Sequence, residues 1–406
     1  MKHQPFEIAS IDCPSFFDKQ SVILKPGKEK AIQNRHHWIF SGAVQSLPSF
    51  KDGDLLPVRT SGGQLLGTGY FNRKSGIIGR MIAFDDTPPL QAISDRLDKA
   101  IALRNTLFDK TSTNAFRLIN GEGDGLPGLT VDVYDTVLVI QIGTKGMDVL
   151  RPLLVDYLDL KLKPLAIYEK SLTPSRKEEG LPQFQGVLKG AVPESMTVKE
   201  NGLLFTINFE KSQKTGFFLD HREMREWVRG LASGKRVLNA FSYTGGFSVY
   251  ALAGGAVSVD SVDISEDACE LSKKHVKLNG FEVDSQGFFC KDVFQFLREE
   301  DFNYDLVILD PPAFAKRQKD VIQACRGYKD INRLAMEKMP PGSLLLTCSC
   351  SHHVDETLFQ KVMFQAAHEA KRQVRIIGRH RLASDHPINL YHPESDYLKS
   401  LLLYIE

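Results

Sequence analysis

The sequence predicts an α/β protein: a doubly wound sheet ending in an antiparallel hairpin, preceded by a small β-barrel-like module and a central α+β section. Three observations predict it. From Asn201 onward, apolar runs at Val237–Ala240, Val257–Val262, Tyr304–Leu309 and Ser343–Thr347 each precede a helix-like stretch, the pattern of parallel strands joined by crossover helices. Val374–Gly378 and Leu398–Ile405 read as two more strands with no room for a long helix between them, so they pair antiparallel. At 406 residues the chain is also too long for one ordinary domain.

The first twenty residues have no clear period and read as a tail. From Ser21 to Ile82 short apolar runs such as Leu55-Leu56-Pro57-Val58 and Ile77-Ile78 lie between turn signals at Lys25-Pro26-Gly27, Lys51-Asp52-Gly53-Asp54, Ser61-Gly62-Gly63 and Gly67-Thr68-Gly69. That texture predicts a small β-barrel-like module. Asp85-Asp86-Thr87-Pro88-Pro89 closes it, and Ile93, Leu97, Ile101 and Phe108 then fall at helical spacing. Leu129–Tyr134 and Val137–Ile142 flank a turn and predict a hairpin, followed by a helix over Met147–Leu158 and a strand near Leu165–Glu169. Leu172–Glu194 is rich in Pro, Gly and charge and reads as a long loop or hairpin. The expected domains are 20–83, 84–198 and 199–406.

Composition narrows the function classes. Hydrophobic residues are 42% and charged residues 25%, which excludes wholesale disorder. No apolar run approaches the roughly 18 residues of a membrane span, so no membrane partner is expected. Met1-Lys2-His3-Gln4-Pro5-Phe6 lacks the apolar core of a secretory signal. Six cysteines in so long a chain are no disulfide framework and read as reduced thiols, the expectation for a cytoplasmic protein. The net charge is only +1, yet residues 20–81 hold nine Lys/Arg (Lys25, Lys28, Lys30, Arg35, Lys51, Arg59, Arg73, Lys74, Arg80) against three acids (Glu29, Asp52, Asp54). A basic module on a mildly acidic body suits a polyanion, with a merely solvated basic face as the competing reading.

The run Arg236–Ser248 reads as a strand, a tight glycine turn and a helix start, which puts Asn239, Phe241, Tyr243, Thr244 and Gly245 at the crevice beyond the strand ends. The diphosphate fingerprint G-x-G-x-x-G is absent, and Tyr243 and Phe247 make the turn bulky. Asp263 ends the next strand where an acid accepts from ribose hydroxyls, and Asp292 follows the third strand within reach of an adenine amino group. An adenosine without phosphates fits, which points to S-adenosylmethionine. Each acid could instead serve a helix cap.

The fourth strand ends Leu309-Asp310-Pro311-Pro312-Ala313-Phe314, where two prolines stop the strand and aim Asp310 into the same crevice. An acid before Pro-Pro suggests methyl transfer to a planar base. The fifth ends Thr347-Cys348-Ser349-Cys350-Ser351-His352-His353. A thiolate there could add to carbon 6 of a pyrimidine and make carbon 5 nucleophilic. One of Cys348 and Cys350 is core filler on this reading. No metal is expected, because Cys348, Cys350, His352 and His353 are too closely spaced for paired-ligand loops. Cys13, Cys269, Cys290 and Cys325 read as inert.

Taken together these residues resemble the bacterial 23S ribosomal RNA (cytosine-5)-methyltransferase I family, which joins a PUA domain, a central α/β domain and a class I methyltransferase domain. The resemblance covers nearly the whole chain past residue 20. It rests on Thr215-Gly216-Phe217-Phe218-Leu219-Asp220-His221-Arg222, the Phe241–Phe247 turn, Asp310-Pro311-Pro312, Arg326–Asn332, Ser349-Cys350-Ser351 and Arg117–Leu129. It implies 23S ribosomal RNA as partner and S-adenosylmethionine as cofactor. Phe218, Asp220 and Arg222 would hold the methionine end, Asp263 the ribose and Asp292 the adenine. Asp310 would contact the target base, and Cys350 would be the nucleophile. The family usually has Gln where this chain has His221, and an aromatic residue is common at Cys348. Many RNA cytosine-5 enzymes carry a second cysteine directly after Pro-Pro, which Ala313 excludes here. A guanine N-methyltransferase and a non-catalytic RNA-binding assembly factor are the alternative functions, and a homodimer is left open.

Overall fold

The computed structural model describes residues 14–300 and 302–406, so Cys13 lies outside the described residues. The chain forms two compact units. One takes in the described residues up to Met196 with Ile207–Phe217 and Asp385–Ser395, the other Thr197–Thr206, Phe218–Ser384 and Asp396–Glu406.

The first unit holds two sheets. Six strands run in the spatial order Trp38–Phe40, Ile77–Ala83, Leu65–Phe71, Leu55–Arg59, Val22–Leu24 and Val44–Ser46. Their inward residues Val22, Leu24, Val58, Phe71 and Met81 are wholly buried. Five further strands run Phe184–Gly190, Ala166–Ser171, Val137–Ile142, Leu129–Tyr134 and Ala115–Asn120. Helices Pro89–Leu107 and Lys145–Leu162 bury Ile93, Leu97, Met147, Leu154 and Leu158 in the same core as Val131 and Ile140. Pro89 sits at the first helical turn, where its missing N–H leaves no helical bond unmade. One expectation needs correction, and the choice between loop and hairpin over Leu172–Glu194 is resolved. Pro14–Asp18 is a short 3-10 helix that buries Phe16, so the end of the supposed tail belongs to the core. Within Leu172–Glu194, Ser175–Glu178 is helical and Phe184–Gly190 is an edge strand paired antiparallel to Ala166–Ser171.

Segment Asp385–Ser395 has its own seat in this unit, built by Arg117–Leu129. Arg104 holds both oxygens of Asp124 at 2.6 and 2.8 Å and donates to the Asp385 carbonyl at 2.8 Å. Arg117 N–H donates to the Asp385 carboxylate, and Asn120 Nδ2 to the Pro387 carbonyl. Gly123 is required because an added Cβ would stand 1.9 Å from the Pro387 oxygen.

The second unit is built on a seven-stranded sheet: β1 (Arg236–Ala240), β2 (Ser258–Asp263), β3 (Gly287–Cys290), β4 (Leu306–Leu309), β5 (Ser343–Ser349), β6 (Val374–His380) and β7 (Lys399–Ile405). Their spatial order is β3-β2-β1-β4-β5-β7-β6. The first five are parallel, β7 runs antiparallel to β5, and β6 antiparallel to β7. The central strands are buried on both faces, which is why they read as unbroken apolar runs. The doubly wound sheet with its terminal antiparallel hairpin stands as expected. No helix among the described residues is long and apolar enough to cross a membrane.

Overpacking a close backbone approach costs about 1–3 kcal/mol. Gly123→Ala should lower unfolding stability by that amount in denaturant titration. Gly42→Ala, where nothing lies within 4 Å, should leave it nearly unchanged. Equal stability of the two variants would contradict the seat described for Pro387.

Candidate active site

The registers of the parallel strands bring the candidate residues into one row. Ala240 pairs with Val262 and with Leu309, and Leu309 with Thr347. One residue further along each strand, Asp263, Phe241, Asp310 and Cys348 therefore stand level at the carboxyl edge of the sheet. Branching of the chain to both sides of β1 opens the crevice at that edge.

The turn after β1 is shaped by three residues in left-handed backbone: Phe241 (φ 60°), Tyr243 (φ 46°) and Gly245 (φ 78°). Such conformations are unfavourable for aromatic residues and persist only where the surroundings hold them. Tyr243 N–H donates to Asp263 Oδ2 at 2.8 Å, and Ser265 N–H to Asp263 Oδ1 at 3.0 Å. Ser265, not Asp263, caps the next helix. At Gly245 a Cβ would meet Ser272 Oγ at 2.2 Å, so the helix Glu266–Leu278 leaves room for glycine alone. The buried His275 ring completes the support: Nδ1 donates to the Thr244 carbonyl at 2.8 Å, while Nε2 accepts from Thr206 N–H at 2.8 Å. Asn239 is fully buried and donates to Ser248 Oγ, so it braces the turn from beneath.

Phe218 and Tyr243 meet edge to face at 5.0 Å and form an aromatic wall beside Asp263. Asp220 is buried, its Oδ2 accepting from Tyr397 O–H at 2.5 Å. Arg222 lies buried against Glu200 at 3.3 Å, which Arg225 also grips. His221 Nδ1 stands 3.0 Å from Asp310 Oδ2 without the alignment of a hydrogen bond. Asp292 is exposed and caps helix Val293–Glu299 through Gln295 N–H at 3.0 Å; its second oxygen has no partner among the described residues. Two acids at successive strand ends, an aromatic wall and a turn without a diphosphate cradle fit an adenosine-type cofactor.

The two candidate cysteines differ sharply. Cys348 lies inside β5, fully buried, its Sγ 3.9 Å from Met224 Sδ. Burial pushes its thiol well above the ordinary range, and the Asp310 charge adds to that. Cys350 follows the end of β5, is half-buried, and lies 3.7 Å from the Pro311 carbonyl. The loop around it is fixed by Ser351, whose Oγ accepts from Ala315 N–H at 3.0 Å and pairs with Tyr328 O–H at 2.9 Å. Arg326–Asn332 thus lies on helix Val321–Lys338 to deliver Tyr328, and Asn332 donates to the Tyr328 carbonyl.

Lys399 was not foreseen from the sequence. It pairs opposite Ser349 at the start of β7, is buried, and donates to the Ser351 and Tyr397 carbonyls at 2.7 Å each. Burial pulls its pKa down to about 8, an effect opposed by the negative charge Cys350 carries when ionised. A lysine opening an apolar strand is the one signal the sequence offered.

Sheet order and site define a class I S-adenosylmethionine-dependent methyltransferase. The family model for S-adenosylmethionine-dependent methyltransferases matches residues 184–382, and a PUA-like domain matches residues 22–84. The chain is 43% identical over 387 residues to ribosomal RNA large subunit methyltransferase I of Alteromonas mediterranea, covering 94% of this chain and 98% of the relative. To the protein of that name from Aeromonas salmonicida it is 40% identical, with the same coverage. A SAM-dependent methyltransferase from Streptococcus mutans superposes with a TM-score of 0.80 at 25% identity, covering 95% of this chain and all of the other. SMU.776, a methyltransferase solved with S-adenosylhomocysteine, gives 0.82 at the same identity and coverage. The chain belongs to the ribosomal RNA large subunit methyltransferase I family, and S-adenosylmethionine is its cofactor.

Burial lowers the pKa of His275 below its ordinary 6.5, so the folded protein keeps the ring neutral. In the unfolded chain the ring takes up a proton as pH falls below 6.5, so stability from this group is present above that pH and lost beneath it. Unfolding measured from pH 7 to 5 should show declining stability, and His275→Gln should flatten the decline. An unchanged slope in the variant would contradict a buried neutral ring.

Proposed function

We propose that this protein methylates carbon 5 of a cytosine in 23S ribosomal RNA, with Cys350 as the nucleophile. The observation that carries the proposal is the contrast between the two thiols. Cys350 lies past the strand end, beside Pro311 of the Asp310-Pro311-Pro312 turn, while Cys348 is sealed in the sheet and held protonated. The names of the relatives support large-subunit ribosomal RNA as the substrate.

Bound S-adenosylmethionine supplies an electrophilic methyl group on its sulfonium sulfur. Phe218, Asp220, Arg222 and the 241–245 turn would hold its methionine end, Asp263 the ribose and Asp292 the adenine. A cytosine must leave its helix to reach the crevice. Asp310 accepts from its Watson–Crick edge, with the His221 ring 3.0 Å from its carboxylate. The Cys350 thiolate adds to carbon 6, and the electron pair of the 5,6 double bond becomes enamine-like at carbon 5. After methylation, water in the crevice takes the carbon 5 proton, and the electron pair of that C–H bond restores the double bond as the Cys350 thiolate departs. Lys399, bonded to the carbonyl of the residue after Cys350, is an ammonium close enough to stabilise that thiolate.

The trapping experiment tests this directly. RNA bearing 5-fluorocytosine cannot lose its carbon 5 substituent, so a covalent complex should accumulate. It should survive Cys348→Ala and vanish in Cys350→Ala. The reverse pattern would make Cys348 the nucleophile, and no complex in any variant would favour methylation at nitrogen.

The basic module supplies the RNA grip on this reading. Arg73 is paired with Asp52, Arg80 with Glu179, and Lys25 donates to the Gly42 carbonyl, so these residues serve the fold. Lys28, Lys30 and Arg35 are exposed around helix Lys30–Gln33 and make no ion pair among the described residues. Changing all three to Glu should weaken RNA binding. It should also flatten the slope of log affinity against log salt by about 2–3. An unchanged slope would mean a solvated face.

A further inference from the structure

We propose that His36, His392 and Glu394 form a site for a zinc-like divalent ion that fastens the far end of segment Asp385–Ser395 to the strand Trp38–Phe40. The near end is held by Arg104, Arg117 and Asn120. At the far end the described bonds do not account for His392. Its side chain is wholly buried, yet neither ring nitrogen has a hydrogen-bond partner. A buried polar group left without a partner marks a missing ligand, ion or water.

The geometry suits an ion. His36 Nε2 lies 3.1 Å from Glu394 Oε1, and His392 Nδ1 lies 3.6 Å from Glu394 Oε2. One ligand atom from each of the three residues falls within 4.8 Å of the other two. With metal–ligand bonds of about 2.0–2.1 Å, tetrahedral ligands stand about 3.3 Å apart, so small side-chain shifts complete the cage. His36 and Glu394 are partly exposed, at 18% and 38%, which leaves a fourth position to water.

The surrounding groups favour binding. Trp38 offers both its N–H, at 3.2 Å, and its carbonyl, at 3.4 Å, to His36 Nδ1. Ligation through Nε2 would place the ring proton on Nδ1, where it faces that carbonyl and the bond from Trp38 N–H is given up. Glu122, anchored by Trp38 Nε1 at 2.8 Å, adds negative charge that reaches His392. Two imidazoles and a carboxylate select zinc and its neighbours over magnesium or calcium.

The test uses the full chain, stripped with chelator and titrated with Zn²⁺ by calorimetry and with Co²⁺ by visible absorption. One Zn²⁺ per chain should bind, Co²⁺ should give the intense bands of a tetrahedral site, and Zn²⁺ should raise the melting temperature. Glu394→Gln, a partly exposed position that preserves size, and His392→Gln should each cut Zn²⁺ affinity at least tenfold. Absence of Zn²⁺ binding, or binding unchanged in both variants, overturns the site. A crystal structure of the zinc-soaked protein with only a water beside His392 overturns it equally.

Discussion

The structure depends on the common register of β2, β1, β4 and β5. Because Val262, Ala240, Leu309 and Thr347 are level, the residues that follow them form a single row of Asp263, Phe241, Asp310 and Cys348. A slip of one residue in any strand would turn its terminal side chain to the opposite face and dissolve the row. In β1 and β4, burial on both faces opposes the slip. Chemistry at the edge of the sheet is thus set by packing in its middle.

Polar groups finish what the register begins. The strained Phe241–Gly245 turn is held by Asp263 on one side and, on the other, by the neutral His275 ring, which donates to the Thr244 carbonyl. The loop bearing Cys350 is held by Tyr328, whose hydroxyl pKa is pushed up to about 12 by burial, so it keeps its proton beside Ser351. Lys399 ties the same loop to β7. Under the proposed reaction these supports let one thiol face the base while its neighbour two residues away is inert.

Much of this was legible in the sequence, for physical reasons. Strands buried on both faces announce themselves as apolar runs, and a Pro-Pro pair announces a strand end. The bounds of the edge strand Phe184–Gly190, inside a stretch that reads as a long loop or hairpin, were hidden because it is mostly exposed and carries no apolar alternation. Phe16 was missed because one buried aromatic in a short 3-10 helix has no period. Asp263, Asp292, Asp310 and Cys350 stood out because they end or follow strands. Lys399 and His275 did not, because both bond chiefly to backbone groups, and no side-chain pattern in the sequence records such a partner.

The measurement that bears most directly on the central claim is tritium release from ribosomal RNA labelled at carbon 5 of cytosine, followed with S-adenosylmethionine present. Carbon 5 methylation must expel the label. The account predicts one tritium released for each methyl transferred, with both lost in Cys350→Ala. Methyl transfer that proceeds without tritium release would contradict it.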